Sequence, residues 1–279
     1  MTTGWSSAPH TAAEGGRIVV GYDGSAASSN AVDWAALEAA ARGWPLWIIV
    51  SSAPNSVGLS DAVRRLADRL RGNLGISVTA TQRSSTEPLT EGVTTDDLFV
   101  LGPAPPNSPS PSLQRSVPPS ASRRSPCPVV MVRGSFTRRI RRILLGVDGS
   151  SAAEAAIEWV CAEAMTHDAE VLVTHVGESC TSADESNRVL ADALDKCRDS
   201  IGPAAIELSE QGSPRSLLLG LSRYRDLVVV GSRGRSGFKT QLFGSVATTL
   251  AEYAFCPVVI THPQPKRDLQ ECSDDSNSV

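Results

Sequence analysis

The chain contains an internal repeat, and this feature limits its possible folds more than any other. The segment RIVVGYDGS at Arg17–Ser25 returns as RILLGVDGS at Arg142–Ser150. Two further pairs follow in the same order: Asp97–Gly102 with Asp226–Gly231, and Pro126–Val132 with Phe255–Thr261. Such self-similarity indicates two copies of one structural unit.

The repeat sets the predicted domain boundaries. A length of 279 residues is sufficient for two domains that each bury a core. We predict a flexible N-terminus at 1–15, a first domain at 16–134, a second at 139–262 and a polar, disordered tail at 263–279.

Short apolar runs alternate with helical segments in each copy. Strands are expected at 142–147, 170–176, 204–209, 226–231 and 257–261, and in the first copy near 17–22, 46–51, 76–81, 97–102 and 128–132. Helices are expected at 151–166, 183–200, 214–223 and 245–254. Alternation of this kind predicts an α/β fold with two five-stranded parallel sheets, each with helices on both faces. A flavodoxin-like strand order is expected, with a ligand crevice where the first and fourth strands end.

A glycine-rich loop follows the fourth strand of the second copy. Its glycines are spaced as Gly231, two residues, Gly234, nine residues, Gly244 and then Ser245, where a helix is expected to begin. Backbone N–H groups and a helix N-terminus at such a place bind anions. The loop is not a P-loop, because Phe238 separates its third glycine from Lys239. The pattern G-x-G-x-x-G is also missing.

This spacing resembles the nucleotide-binding signature of the universal stress protein family, of the tandem-domain actinobacterial type. The resemblance implies flavodoxin-like or Rossmann-like domains of the adenine nucleotide alpha hydrolase kind. It also implies ATP, with or without Mg²⁺, as the ligand. The implied binding residues are Gly146, Val147, Asp148, Val176, Gly231, Arg233, Gly234, Gly244, Ser245, Val246 and Ala247.

The members of this set have different expected roles. In the family, Asp148 would lie beside the nucleoside, Val176 would pack on adenine, and Gly146 and Val147 would line the same pocket. Val246 and Ala247 would reach phosphate through backbone N–H groups. From the residues themselves, Arg233 is expected to bind phosphate, and Ser245 to cap the helix as well as bind phosphate. Arg235 and Lys239 are left undecided.

The first copy lacks the glycine loop. Pro105 and Arg115 stand where Gly234 and Gly244 are expected, within a proline-rich run. Proline offers no N–H to an anion, and arginine prevents close backbone approach. Asp23 therefore keeps only a structural role, and one nucleotide per chain is expected.

Other features exclude several classes of function. The net charge of −4 is spread along the chain, which does not favour nucleic acid as a partner. No apolar run approaches the ~20 residues of a membrane span, and the N-terminus does not resemble a leader, so a cytoplasmic location is expected. The histidines show no metal-ligand spacing, and His175 is expected to be a structural residue. Trp34 and Trp159 are expected in the core, and Cys127 and Cys256 as buried packing residues.

These observations predict an ATP-binding regulatory protein of the stress response that is not an efficient enzyme. Slow hydrolysis or autophosphorylation at Ser245 is left open, as is a scaffold that binds no nucleotide. An adenylating enzyme would need an S-G-G-x-D-S loop, which Asp148–Ser151 does not match. The expected partners are an adenine nucleotide and an unidentified regulatory protein. The final strand of each domain is expected to pair with its counterpart, giving an intrachain pseudo-dimer, and a homodimer is left open.

Overall fold

A computed structural model describes residues 16–52, 78–84, 91–103, 125–135, 139–177, 182–234 and 244–263, together with residue 68. Its strands are β1 (Ile18–Tyr22), β2 (Leu46–Ser52), β3 (Val78–Ser84), β4 (Leu98–Leu101), β5 (Val129–Met131), β6 (Arg142–Val147), β7 (Glu170–Gly177), β8 (Ala205–Gln211), β9 (Leu227–Gly231) and β10 (Val258–Thr261). The helices are α1 (Ala26–Arg42), α2 (Ser151–His167), α3 (Ala183–Ile201), α4 (Pro214–Leu221) and α5 (Ser245–Tyr253), with 3-10 turns at Gly202–Ala204 and Ser222–Tyr224.

All ten strands form one sheet in the order β3-β2-β1-β4-β5-β10-β9-β6-β7-β8. Within each half the strands are parallel and follow the order 3-2-1-4-5. The predicted α/β class is confirmed, but the flavodoxin-like order is wrong, because that order would be 2-1-3-4-5. The observed order is the Rossmann-like one. Its topological switch point lies between the first and fourth strands, as predicted.

The two halves join through their final strands. β5 and β10 pair antiparallel, with Val130 opposite Val259, Val129 opposite Ile260 and Met131 opposite Val258. Val130 and Val259 are equivalent positions of the repeat, so the pairing is symmetric about them. This confirms the predicted pairing of the final strands, which removes two apolar edges from solvent.

Helices cover both faces of the sheet in the second half. On one face, α1, α2 and α3 pack on a core cluster that both halves share, from Ile18 and Val20 to Leu145 and Val173. On the other face, α4 and α5 pack on Leu144, Leu172 and Val228. Successive side chains of a strand point to opposite faces of the sheet, so one apolar strand packs against the helices on both faces.

Each copy of the repeat contains an aspartate that holds the start of its first strand. Asp97 precedes β4 and accepts hydrogen bonds from the backbone N–H and the guanidinium of Arg17, at 3.0 and 2.6 Å. Asp226 precedes β9 and accepts from the backbone N–H groups of Arg141 and Arg142, at 3.0 and 2.9 Å. In each half a carboxylate therefore fixes the start of the first strand against the fourth.

A buried charged cluster lies where α1 and α2 meet. Glu38 and Glu163 occupy equivalent positions of the repeat, and so do Arg42 and His167. Arg42 bonds both carboxylates. His167 Nε2 lies 3.0 Å from Glu38 Oε2 and 3.4 Å from Glu163 Oε1. We call these four residues the interdomain cluster.

Charge balance explains how the interdomain cluster tolerates burial. Burial alone would lower the pKa of His167, but its hydrogen bonds to Glu163 and Glu38 outweigh this and raise the pKa to about 9. Imidazolium and guanidinium then face the two acids, of which Glu163 has its pKa raised by burial and by the charge of Glu38. Glu38, Glu163 and His167 are also close enough to hold a metal ion. Because Arg42 contacts both carboxylates, a divalent cation would leave the cluster with excess positive charge.

The interdomain cluster predicts a pH dependence of stability. The pKa of His167 in the folded protein lies above its unfolded value of about 6.5, so its contribution is complete below that pH and is lost as the pH rises through 9. The whole shift corresponds to about 3 kcal/mol. Denaturant unfolding of wild type and His167→Gln should show a difference that shrinks between pH 6.5 and 9.5. A constant difference across this range would contradict the assignment.

The strand pairing predicts that the second domain cannot stand alone as a monomer. A fragment of residues 139–263 would expose β10 and leave Glu163 and His167 without their partners on α1. Sedimentation analysis should show dimers or aggregates of this fragment, whereas the full chain serves as the control. A stable monomer at high concentration would show that the β5–β10 pairing is dispensable.

Candidate functional site

Two loops meet where β6 and β9 end, at the switch point of the second half. Asp148 follows β6, and its Oδ1 accepts the backbone N–H of Ser150 at 3.1 Å. The Ser150 hydroxyl donates to the backbone carbonyl of Arg233 at 3.1 Å. It also accepts the N–H of Ala153 at 3.2 Å and so caps α2. Ser150 therefore ties the loop after the first strand to the loop after the fourth.

Gly234 and Gly244 shape the base of the glycine loop. A Cβ added to Gly234 would stand 2.5 Å from Asp148 Oδ2, so the two predicted motifs are in contact. Gly244 donates its N–H to the carbonyl of Ser232 at 2.8 Å, which closes the loop at its base. Residues 235–243 lie outside the described residues, so Arg235 and Lys239 stay undecided.

The N-terminus of α5 has free backbone donors. Gly244 is the N-cap, and among the described residues no side chain caps the helix. Ser245 is the first helical residue with an exposed side chain, so the expected capping role of Ser245 is wrong. The N–H of Thr248 is bonded to the Gly244 carbonyl, whereas the N–H groups of the three residues before it precede the intrahelical ladder. These N–H groups belong to the predicted phosphate contacts Ser245, Val246 and Ala247.

Gly231 and Gly146, two of the predicted binding residues, lie where an added side chain would meet its neighbours. A Cβ on Gly231 would lie 2.7 Å from the backbone carbon of Ala152, and one on Gly102 would lie 2.4 Å from the carbonyl oxygen of Ala27. Both copies thus keep this glycine because a helix start crosses the strand end there. A Cβ on Gly146 would lie 3.1 Å from the side chains of Leu218 and Val230. The nucleotide contacts assigned to Gly231 and Gly146 stay predictions.

Polar groups lie inside the C-terminal part of β7, beside the buried Val147 and Val176. His175 donates from Nδ1 to the carbonyl of Val147 at 2.9 Å, while its Nε2 is buried and has no hydrogen-bond partner among the described residues. The same holds for Thr174 Oγ1. Sequence reasoning expected a structural His175 and did not single out Thr174. The only signal for either was a polar pair inside an apolar run. Unsatisfied polar atoms are costly and mark places where a ligand can supply the missing bond.

Arg233 makes this edge electropositive. Burial and the nearby charge of Arg233 lower the pKa of His262 to about 4, so this imidazole is neutral at physiological pH. Arg233 itself is exposed.

The counterpart turn in the first domain keeps its local structure. The N–H of Ser25 bonds Asp23 Oδ1 at 3.0 Å, and Ser25 caps α1. Burial would raise the pKa of Asp23, but hydrogen bonds from Ser25 and Ser28 outweigh it, and the pKa is lowered. Asp23 therefore stabilises the turn, as Asp148 does through Ser150, and a purely structural role for Asp23 stays a prediction. Pro105 and Arg115 lie outside the described residues.

The fold is that of a tandem α/β protein, with the Asp148 turn and the base of the glycine loop in contact in its second half. Residues 139–262 match the model of the universal stress protein family. Over 286 residues the chain is 28% identical to a universal stress protein of Mycolicibacterium smegmatis, covering 88% of this chain and 97% of that one. A universal stress protein of Mycobacterium tuberculosis is 29% identical, with 87% and 95% covered. The crystal structure of a universal stress protein from Archaeoglobus fulgidus shares the fold with a TM-score of 0.72, at 14% identity, covering 90% of this chain and 99% of that chain.

Residues 139–262 belong to the universal stress protein family, as the glycine spacing in this half predicted. The similarity of the chain to the mycobacterial proteins extends through both halves rather than over one domain. Among the described helices, none is long and apolar enough to cross a membrane.

The packing analysis predicts different outcomes for two glycines of the loop. Gly231→Ala places a methyl group against the backbone of α2 and should lower the free energy of unfolding by about 1–3 kcal/mol. Gly244→Ala meets only ordinary contacts, the nearest being Arg233 Cα and Gly234 N at 3.6 Å, and should unfold like wild type. Chemical denaturation compares the three proteins. Equal loss in both variants would contradict the separate roles.

Proposed function

We propose that the second domain binds an adenine nucleotide, ATP in particular, and that occupancy of this site carries a regulatory, stress-response function. One observation supports this above the others. The Asp148 turn and the glycine loop, found separately in sequence, touch at the switch point through Ser150 and Gly234. This is where open α/β sheets of this order bind nucleotides.

The phosphate end of the proposed site is the start of α5. Its first N–H groups carry the positive end of the helix dipole, and no described side chain caps them. Arg233 adds a charge on the loop side. Val246 is half-buried and Ala247 fully buried, so their backbones rather than their side chains would contact the phosphates.

The nucleoside end is proposed at the strand ends beside Asp148 and Val176. Asp148 would accept hydrogen bonds from the sugar, and Val176 would supply apolar contact to the base. Bound Mg²⁺, where the nucleotide carries it, prefers oxygen ligands, of which Asp148 offers one.

We propose that this site acts by binding rather than by rapid catalysis. Phosphoryl transfer needs a positioned base or nucleophile and strong neutralisation of the transferred group. Arg233 alone stands near the proposed phosphates among the described cations of the loop. Slow hydrolysis, or transfer to the exposed Ser245, would be a side reaction of occupancy.

The proposal predicts one ATP per chain. Calorimetric titration of the full chain should give a single site, because the first copy has lost the glycines of its loop. Two equal sites would contradict the argument from Pro105 and Arg115.

A second test places a bulky side chain at the phosphate end. Gly244→Val should reduce ATP affinity by at least tenfold, because its methyl groups would occupy the anion position while its Cβ is tolerated. The matched control is Gly220→Val, on an exposed position of α4 with nothing within 4 Å of an added Cβ. Unchanged ATP affinity in a folded Gly244→Val protein would show that the phosphates bind elsewhere.

The alternative function is a scaffold that binds no nucleotide. Its support is the shared sheet, because the two halves associate through β5 and β10 without a nucleotide. It predicts no heat with ATP in either domain, and partner binding unaffected by Gly244→Val. Mass spectrometry of small molecules released from natively purified protein separates the two functions without assuming the ligand.

A further inference from the structure

A single serine side chain bonds two separate elements of the second domain. Ser150 is half-buried in the turn between β6 and α2, where Gly149 before it has a φ of +75°. The Ser150 hydroxyl oxygen accepts the backbone N–H of Ala153 at 3.2 Å, and the hydroxyl proton is donated to the backbone carbonyl of Arg233 at 3.1 Å. A hydroxyl has one proton and two lone pairs, so the two hydrogen bonds do not compete. Ser150 is absent from the set of binding residues that the sequence implied.

The first copy has the same serine in the same turn but uses its hydroxyl differently. Gly24 has a φ of +82°, and Ser25 caps α1 by accepting the N–H of Ser28 at 3.1 Å. The Ser25 hydroxyl donates to the Ser28 hydroxyl at 3.2 Å, within its own helix. In the repeat, position 28 corresponds to Ala153, which has no hydroxyl. The local partner is therefore missing in the second copy, and the serine proton goes to the glycine loop instead.

The bond to Arg233 fixes the orientation of one peptide group. The Arg233 carbonyl and the Gly234 N–H belong to the same planar trans peptide, in which the two groups point in opposite directions. Gly234 N lies 3.6 Å from the position of a Cβ on Gly244, which is the N-cap of α5. The Gly234 N–H is thus beside the first turn of α5, where the phosphate end of the site is proposed.

We propose that Ser150 is a positioning residue of the nucleotide site. By holding the Arg233 carbonyl toward the start of α2, it directs the Gly234 N–H to the other side, where this N–H joins the first N–H groups of α5 as a phosphate donor. Without the Ser150 bond, the peptide is free to rotate. Donors that are already oriented bind more tightly, because less ordering is needed on binding. The inference rests on the proposed nucleotide function and adds to it a residue that acts through the loop.

Ser150 also has a structural role, which the test must separate from positioning. It is the N-cap of α2, as Ser25 is of α1, and the loss of either cap lowers the stability of the fold. Ser25 is half-buried like Ser150, and both serines cap helices of 17 residues. Ser25 is therefore the matched control for the structural role.

The test measures the binding of ATP and of adenosine to the full chain by calorimetry. Ser150→Ala should reduce the ATP affinity about three- to tenfold, the effect of one hydrogen bond. Its adenosine affinity should be unchanged, because the alanine keeps the backbone N–H that Asp148 accepts at the nucleoside end. Ser150→Thr, which keeps a hydroxyl, should retain the ATP affinity. Ser25→Ala should lower the denaturant midpoint as Ser150→Ala does, but bind ATP like wild type.

A second variant tests the difference between the copies while the cap of α2 is kept. Ala153→Ser places a hydroxyl where the first copy has Ser28, so the Ser150 proton gains a local partner. The added hydroxyl has an acceptor of its own, since Ser28 donates to the Ser25 carbonyl at 3.0 Å in the first copy. The ATP affinity of Ala153→Ser should therefore fall in the same direction as that of Ser150→Ala.

The outcomes distinguish this inference from the proposed function. Wild type that binds no ATP would overturn the proposed function, and the positioning role with it. If wild type binds ATP, an unchanged ATP affinity in folded Ser150→Ala overturns the positioning role alone. Equal losses of ATP and adenosine affinity in that variant would do the same, because they would show an effect on the whole domain. Unchanged ATP affinity in Ala153→Ser would also overturn it, because the bond to the loop would then have no effect on binding.

Discussion

The antiparallel pairing of β5 with β10 is the constraint on which the rest of the molecule depends. Each half alone would end in an apolar edge strand, and such an edge recruits other chains. Joining the edges makes one sheet of two. It also brings α1 and α2 together on one face, where they share a core and bury four charged or titratable groups. The interdomain cluster exists because the sheet is continuous.

The two copies have kept the features that the sheet needs and diverged in what remains. Gly102 and Gly231 both let a helix start cross a strand end, and Asp97 and Asp226 both anchor the first strand. Where the repeat differs, the difference has a local consequence. Arg42 of the first copy and His167 of the second occupy equivalent positions of the repeat. The first copy therefore contributes a guanidinium that is always charged, and the second an imidazole whose charge depends on pH. The glycine loop is present in the sequence of one copy only, so the two halves differ at the proposed nucleotide site.

Most of the helices and strands could be predicted, because hydrophobic periodicity and the spacing of turn residues are local features of the sequence. The strands and helices of the second half begin and end within about three residues of the predicted positions, since apolar runs and turn residues define them. In the first half β3 runs from Val78 to Ser84, later than expected, because its residues Val-Thr-Ala-Thr-Gln-Arg-Ser carry a weaker apolar signal. Ser245 was expected to be the cap because serine prefers that position, but Gly244 precedes it and the chain turns one residue earlier.

What the sequence did not show are the contacts between elements far apart in the chain. No periodicity places Glu38 against His167. This pair arises from the faces that α1 and α2 present to one another. The strand order was mistaken for a related reason, since alternating strands and helices fit more than one winding of a parallel sheet. Spacing within a motif indicates chemistry, whereas the partners of a buried polar group follow from packing.

Helix α2 connects the separate parts of the protein. Its cap, Ser150, bonds the carbonyl of Arg233 in the glycine loop, and its last turn, with Glu163 and His167, contacts Arg42 and Glu38 of α1. The same helix thus borders both the proposed nucleotide site and the other domain.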